Sequence, residues 1–257
     1  ISGLVVVDKR RPAPNQAEIV NIKLDKLNVP ETRGKSTALV DYMREKRKTS
    51  QLPLIQFYCE QLQINKRHFK KISLELLPRT YGYEIMNFTI NNDHLLLQAQ
   101  GAWQMEGTPL TTLSGSIYTQ NFGKVLGEWG YNNAISRGKG ELNFNVQWEG
   151  GPIDFDVSKV SGKSHFDLRS GSLPNVNPGI GRILSLLSLE TIQRRLQLDF
   201  SDLISKGFAF DKFVADVKME HGDVMSDNIL ITSPAAKIEL FGKTGIKSQD
   251  LEFTMLV

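Results

Sequence analysis

Side chains that could bind a metal or transfer protons are present in this sequence, but they are scattered. The four histidines show none of the short spacings that zinc ligands use: His68, His94, His165 and His221. Asp154 and Asp156 flank Phe155, so in a β-strand both carboxylates would share one polar face and could act as an acid–base pair, as in carbohydrate-active enzymes. With no second acidic cluster nearby in sequence, a solvated strand face is the simpler interpretation. We expect no metal site.

A glycine-containing turn at residues 179–182 could bind an anion, because free N–H groups at a helix N-terminus attract phosphate. It lacks the third glycine and the preceding βαβ pattern of a nucleotide site. The sequence has no Gly-x-Ser-x-Gly motif, and Cys59, the single cysteine, has no evident activating histidine. The chain is therefore predicted to be no enzyme and to need no cofactor.

The elements that would position any site are mainly β-strands, because apolar and polar residues alternate along most of the chain. The clearest case is Glu141–Trp148, where Leu142, Phe144, Val146 and Trp148 fall on one face and polar residues on the other. The same alternation recurs at Val20–Leu24, Ile72–Leu76, Met86–Ile90, Leu95–Ala99, Phe155–Val157, Phe166–Leu168, Phe213–Met219, Ile238–Leu240 and Leu251–Val257. These segments predict a sheet with one apolar face and one polar face.

Turn signals separate the strands at short intervals, at residues 91–93, 106–107, 149–152, 170–171 and 221–223. Short spacing favours hairpins over crossover helices, so we predict a long antiparallel meander. From the residues alone, strands of this kind more often close over their own core as a sandwich or barrel than form an open groove.

Three segments break the β pattern. Ser36–Lys48 could be a surface helix. Asn121–Trp129 is predicted to be a short helix capped by Asn121. The third, at about residues 179–196, is predicted to be a helix that is apolar on nearly every side, with Ile180, Ile183, Leu184, Leu187 and Ile192 among its residues. It is too short to span a bilayer, so it must meet the sheet, a protein partner or a membrane surface.

Composition is that of a soluble globular chain, with 257 residues, 40% hydrophobic and 23% charged. A net charge of +3 is too mild to require nucleic acid as a partner. Basic clusters at residues 9–11, 44–48, 66–71 and 194–195 could meet lipid head groups, although solvated loop ends are the commoner explanation. The chain begins within a strand pattern, which suggests that it is cut from a longer protein.

A family resemblance covers roughly residue 52 onward and is sharpest from Gly138 to Ile246. It is carried by the order and spacing of several motifs: Gly138–Glu141, Trp148-x-Gly-x-Pro152, Asp167–Gly171, Asn177–Leu189, Arg194–Asp202, Ser205–Asp211 and Ser233–Glu239. In these segments the sequence resembles the C-terminal region of the YhdP branch of the AsmA-like family, and residues 1–51 contribute little.

The resemblance implies the periplasmic part of an inner-membrane-anchored protein of a Gram-negative envelope, with a taco-like β-groove that carries phospholipid between the two membranes. On that basis residues 1–51 continue an upstream groove, and residues 52–257 form the C-terminal groove region. The expected partners are phospholipid and a membrane surface at one or both ends. A structural scaffold whose apolar helix docks an envelope protein is the alternative.

Under this hypothesis, ten residues would line the lipid groove. They are Leu142, Phe144, Val146, Trp148, Phe155, Val157, Phe213, Val217, Ile238 and Leu240. Each CH₂ group removed from water would contribute about 0.8 kcal/mol, so no polar handle is needed for the acyl chains.

Overall fold

The computed structural model describes residues 19–29, 52–64, 67–128, 135–173, 208–234, 237–245 and 251–256. Its strands form a single open, twisted, twelve-stranded sheet in which chain order and spatial order are the same. The strands are β1 (Ile19–Val29), β2 (Leu54–Ile64), β3 (Arg67–Arg79), β4 (Gly82–Asn91), β5 (Leu95–Gln104), β6 (Leu110–Thr119), β7 (Ser136–Glu149), β8 (Ser161–Leu173), β9 (Phe208–Glu220), β10 (Asp223–Thr232), β11 (Lys237–Gly245) and β12 (Leu251–Leu256). One α-helix, α1 (Phe122–Glu128), and two short 3₁₀ turns, Pro152–Asp154 and Val157–Lys159, complete the described elements.

The meander predicted from the turn signals is confirmed from β2 to β12, where every neighbouring pair is antiparallel. Chain reversals occur at residues 91–93, 106–107 and 221–223, as predicted. The turn predicted at residues 170–171 is wrong, because β8 continues through it to Leu173. Ser170 has a φ of 55°, which bends the strand locally, while pairing with β7 resumes at Gly171.

The first pair of strands departs from the antiparallel prediction. β1 and β2 run parallel, from the pair Ile19 and Leu54 to the pair Val29 and Ile64. Alternation places side chains on faces but does not encode strand direction. Parallel neighbours need a long connection, and the chain between Val29 and Leu54 is long enough for one.

The short helix predicted near Asn121 is confirmed as α1. The Asn121 side-chain oxygen accepts a hydrogen bond from the backbone N–H of Lys124 at 3.1 Å, which satisfies one free donor of the first turn. Phe122 and Val125 are buried on its inner side, and the Phe122 ring meets Phe166 of β8 edge to face, with ring centroids 6.3 Å apart. The helix therefore covers part of the sheet at the beginning of β7.

Replacing Asn121 with alanine should destabilise the protein by about 1 kcal/mol, because the first turn of α1 loses its side-chain acceptor. The buried contacts of Phe122 and Val125 are unchanged by the substitution. Urea unfolding monitored by circular dichroism measures this change. Asn121→Asp is the matched control, since its carboxylate keeps the acceptor. Equal stability of Asn121→Ala and the unsubstituted chain would contradict a role for this cap.

The helices predicted at Ser36–Lys48 and at about residues 179–196 lie outside the described residues. The flanking residues of the second segment, Leu173 and Phe208, are register partners in β8 and β9. Leu173 and Phe208 lie at the same edge of the sheet as Thr119 at the end of β6, since β6 and β8 run in the same direction in the meander. The division of the chain at residue 51 stays a prediction.

Candidate functional site: a continuous apolar face

One face of the sheet carries an unbroken row of apolar residues, with one contribution from each strand from β1 to β11. Each residue in the row is the register partner of the next, so the row crosses eleven neighbouring strands. In order the residues are Leu24, Cys59, Ile72, Ile90, Leu97, Ile117, Leu142, Phe166, Ala215, Ile229 and Leu240. Cysteine packs here as a small apolar residue, and Cys59 is fully buried. We call the surface that contains this row the apolar face.

A second row on the same face is less deeply buried. Phe57, Leu74, Phe88 and Phe144 are only partly buried and pack against the core beneath them. Register pairs run from Phe57 through Leu74 and Phe88 to Ala99 and Gly115, and from there to Phe144. Because Ala99 and Gly115 are small, the aromatic rings on either side stand higher than the middle of the row. The apolar face therefore has partly exposed aromatic rings on both sides of a shallow depression at Ala99 and Gly115.

Eight of the ten residues predicted to line a groove lie together on this face. Leu142, Phe144, Val146 and Trp148 follow one another along β7, with Val146 and Trp148 buried. The register places Phe213, Val217, Ile238 and Leu240 on the same face of β9 and β11.

The strand predicted for Phe155–Val157 is wrong. These residues lie in the connection from β7 to β8, between and within the two 3₁₀ turns. Phe155 is exposed and meets the Trp148 ring edge to face, with centroids 5.2 Å apart. Pro152 and the paired glycines before it interrupt the alternation and initiate a turn, a signal that outweighs the short apolar pattern.

The two aspartates of this connection act as local caps. Asp154 accepts a hydrogen bond from the backbone N–H of Gly151 at 2.7 Å, and Asp156 accepts from the backbone and hydroxyl of Ser158. The prediction that the two carboxylates share one face of a strand is therefore wrong. In the described part of the chain, no three His, Cys, Asp or Glu side chains gather as a metal site demands.

The opposite face of the sheet is polar and forms its own hydrogen bonds between strands. Ser73 pairs with Thr89 at 2.5 Å, and His165 lies 2.7 Å from Asp216, which also accepts from Asn228. Hydrogen bonding by His165, and then by Asn228, lowers the pKa of Asp216 below its ordinary value. The His165 and Asp216 side chains are well exposed, so this face is hydrated and differs chemically from the apolar face.

One edge of the apolar face ends in residues that combine an apolar body with a polar tip. Tyr83, Trp103, Thr111 and Trp148 are successive register partners near the ends of β4, β5, β6 and β7. Tyr83 and Trp103 stack with their ring centroids 6.0 Å apart, and burial raises the pKa of Tyr83 to about 12. We call Tyr83, Trp103 and Trp148 the aromatic rim.

Sequence reasoning missed Tyr83 and Trp103, although a signal for Trp103 was present. The alternation from Leu95 to Ala99 reaches Trp103 after two further steps, across Gly101. Glycine interrupts the apolar pattern but not the strand, so the pattern alone predicts a strand that ends too early.

The fold and the site define a protein built on one open sheet with a continuous apolar face. The chain belongs to the YhdP family: the family model, described as YhdP protein, matches residues 5–257. This confirms the resemblance found in the sequence. The chain is also 25% identical over 248 residues to the intermembrane phospholipid transporter YhdP of Escherichia coli (strain K12).

That alignment covers 95% of this chain and 20% of the Escherichia coli protein, so the chain spans about a fifth of its relative. No solved structure gives a significant match. Among the described residues, no helix has the length and apolar character needed to cross a bilayer.

Proposed function

We propose that the apolar face binds the acyl chains of phospholipids and that this chain is one segment of a larger intermembrane lipid transporter. The observation that carries the proposal is the apolar row that passes through β1 to β11 without interruption. Family membership supports it, since the Escherichia coli relative is named as a phospholipid transporter. The ten lining residues, including Phe155 and Val157 at the edge, are part of this proposal.

The dimensions of the sheet suit an acyl chain. Twelve strands spaced about 4.8 Å apart give a face on the order of 55 Å long. One leaflet contributes only about 15 Å of hydrocarbon depth. A lipid could therefore lie entirely on the face, and each buried CH₂ would contribute about 0.8 kcal/mol. Because neighbouring strands offer similar apolar side chains, a lipid moving along the row exchanges one set of contacts for an equivalent set.

Within this proposal the longer protein links the inner and outer membranes and is anchored in the inner one, with this segment in the periplasm. Its ends meet membrane surfaces, where lipid enters and leaves. Binding and movement of this kind use no covalent step, so a non-enzymatic role is part of the proposal. The charged head group stays in water beyond the edge of the sheet, because its burial without a partner would be unfavourable.

Lipid content is the direct test of the proposed function. The chain purified from bacterial membranes in mild detergent should carry phospholipid that native mass spectrometry detects as discrete mass additions. Organic extraction should recover the same lipids. A protein that is folded by circular dichroism and yet carries no lipid, even after incubation with phospholipid vesicles, would contradict the proposal.

A further inference from the structure

Three connections at one end of the strands are joined to each other by backbone hydrogen bonds. They link β3 to β4, β5 to β6 and β7 to β8, and they are residues 80–81, 105–109 and 150–160. The backbone N–H of Met105 donates to the carbonyl oxygen of Tyr81 at 2.8 Å. The backbone N–H of Gly150 donates to the carbonyl oxygen of Pro109 at 2.8 Å. We call these three connections the loop edge.

The loop edge carries the three most exposed large apolar side chains of the described residues. Tyr81, Ile153 and Phe155 are 61%, 60% and 48% exposed. Turns are more often built from glycine, proline and small polar residues, which leave no apolar surface in water. The first and third connections are separated by four strand spacings of about 4.8 Å, so the three side chains lie within roughly 20 Å of each other.

The third connection presents its apolar side chains from an ordered turn. Asp154 and Asp156 flank Phe155, and both carboxylates accept hydrogen bonds from the backbone of this connection. The Phe155 ring packs edge to face on Trp148, with centroids 5.2 Å apart. The two carboxylates thus serve as caps, and the exposed groups between and beside them, Ile153 and Phe155, are hydrocarbon.

The size and arrangement of this surface favour a bilayer over a protein partner. A large aromatic side chain has about 150–250 Å² of surface, so three large side chains that are roughly half exposed offer on the order of 300 Å². A stable protein interface takes about 800 Å² from each partner. Tyr81 is also separated from Ile153 and Phe155 by the middle connection. A bilayer surface needs no complementary shape, and aromatic side chains are favoured where hydrocarbon meets water.

We propose that the loop edge inserts shallowly into the surface of a lipid bilayer, with Tyr81, Ile153 and Phe155 as the inserted side chains. This inference rests on the proposed function, and it names the part of this chain that meets a membrane. Phe155 contacts Trp148, which lies on the apolar face. An inserted loop edge therefore makes the apolar face continuous with the hydrocarbon of the bilayer, so that an acyl chain passes between them without crossing water.

Insertion of the loop edge depends on apolar contact rather than on charge. Its three connections contain three acidic residues, Glu106, Asp154 and Asp156, and one basic residue, Lys159. An anionic membrane surface would not attract such an edge. Binding should therefore be no stronger to vesicles that contain phosphatidylglycerol, and added salt should change it little.

Co-sedimentation of the delipidated chain with vesicles of phosphatidylethanolamine and phosphatidylcholine tests the inference. We expect Ile153→Ser and Tyr81→Ser each to weaken binding by about three- to tenfold, because each removes an apolar side chain from the bilayer. Tyr118→Ser is the matched control, since Tyr118 is 44% exposed but lies within β6, and it should bind like the parent chain. Equal binding by all four proteins, or binding that requires phosphatidylglycerol and is lost in high salt, would overturn the inference.

A fluorescent label gives a second measurement that does not depend on affinity. Cys59 is fully buried, so a cysteine introduced by Ile153→Cys can be labelled selectively with a nitrobenzoxadiazole probe. We expect the emission of this probe to shift to the blue and to strengthen when vesicles are added. The same label on Tyr118→Cys should not respond. No response at residue 153, or an equal response at residue 118, would overturn the inference.

Lipid supplied in detergent separates this inference from the proposed function. Ile153 is not among the ten residues of the acyl-chain site, so Ile153→Ser should carry as much detergent-supplied phospholipid as the parent chain. If all variants carry lipid and bind vesicles equally, the loop edge is wrong and the acyl-chain site stands. If the parent chain carries no lipid, the acyl-chain site is wrong, whereas weaker vesicle binding by Ile153→Ser still supports the loop edge.

Discussion

Phe144→Lys should reduce phospholipid binding by more than about tenfold, because it places a charge among the half-buried rings that the acyl chains would contact. Phe144 is only partly buried, so the lysine ammonium group can stay in water above the apolar face when no lipid is bound, whereas bound acyl chains would cover it. The fold should therefore survive the change. Lipid carried through purification, quantified by extraction and native mass spectrometry, measures the effect.

The control for this substitution is the next residue along β7. Asn145 lies on the polar face and is exposed, so Asn145→Lys adds the same charge to the same strand without touching the apolar face. We expect Asn145→Lys to carry as much lipid as the parent chain. Equal loss in both variants would point to net charge as the cause, and no loss in either would remove Phe144 from the binding surface.

Gly115→Val should destabilise the protein by about 3 kcal/mol or more. An added Cβ at Gly115 would lie 2.2 Å from the carbonyl oxygen of Gln98 and 2.7 Å from the Cβ of Ala99, both in β5. Neither contact is possible without separating β5 from β6. Because Gly115 lies in the middle of the second row, the valine side chain would also fill the depression between Phe88 and Phe144.

Ser114→Val tests whether the effect belongs to the position rather than to valine. Ser114 is the neighbouring residue on the polar face of β6 and is paired with Gln100 and Asn145. Since valine favours strands, this variant should be about as stable as the parent chain. Chemical denaturation of both variants measures the difference, and similar stabilities would contradict the close approach at Gly115.

The faces of individual strands could be predicted from the sequence because alternation is a local property. Leu142, Phe144, Val146 and Trp148 lie on one face of β7 because they are spaced two residues apart. The helix capped by Asn121 is local in the same sense, since its cap and its buried side chains fall within a few residues. For these elements the sequence and the structure agree.

Strand direction and the end of a strand depend on more distant contacts. The parallel pairing of β1 with β2 brings together segments separated by the chain between Val29 and Leu54. The segment Phe155–Val157 alternates like a strand, yet it lies between capped turns and packs on Trp148. In both cases a tertiary arrangement overrides a local pattern.

The alignment of the apolar residues into one row was beyond sequence reasoning as well. Each strand shows an apolar side, but a shift of one residue in any register would have broken the row. Hydrogen bonds at the edge of the apolar face are a further case. The Thr111 and Trp148 side chains donate to carbonyl oxygens of Gly150 and Gly151, and these acceptors lie in the connection after β7.

Photo-crosslinking with benzoylphenylalanine is the most direct test of the claim that lipid lies along the apolar face. Phe57, Phe88 and Phe144 place the probe on β2, β4 and β7 in one row, and Tyr118 places it on the polar face. We predict that irradiation in cells links phospholipid to the three phenylalanine positions and leaves Tyr118 free of lipid. Lipid adducts at none of the three, or at Tyr118 equally, would contradict the account.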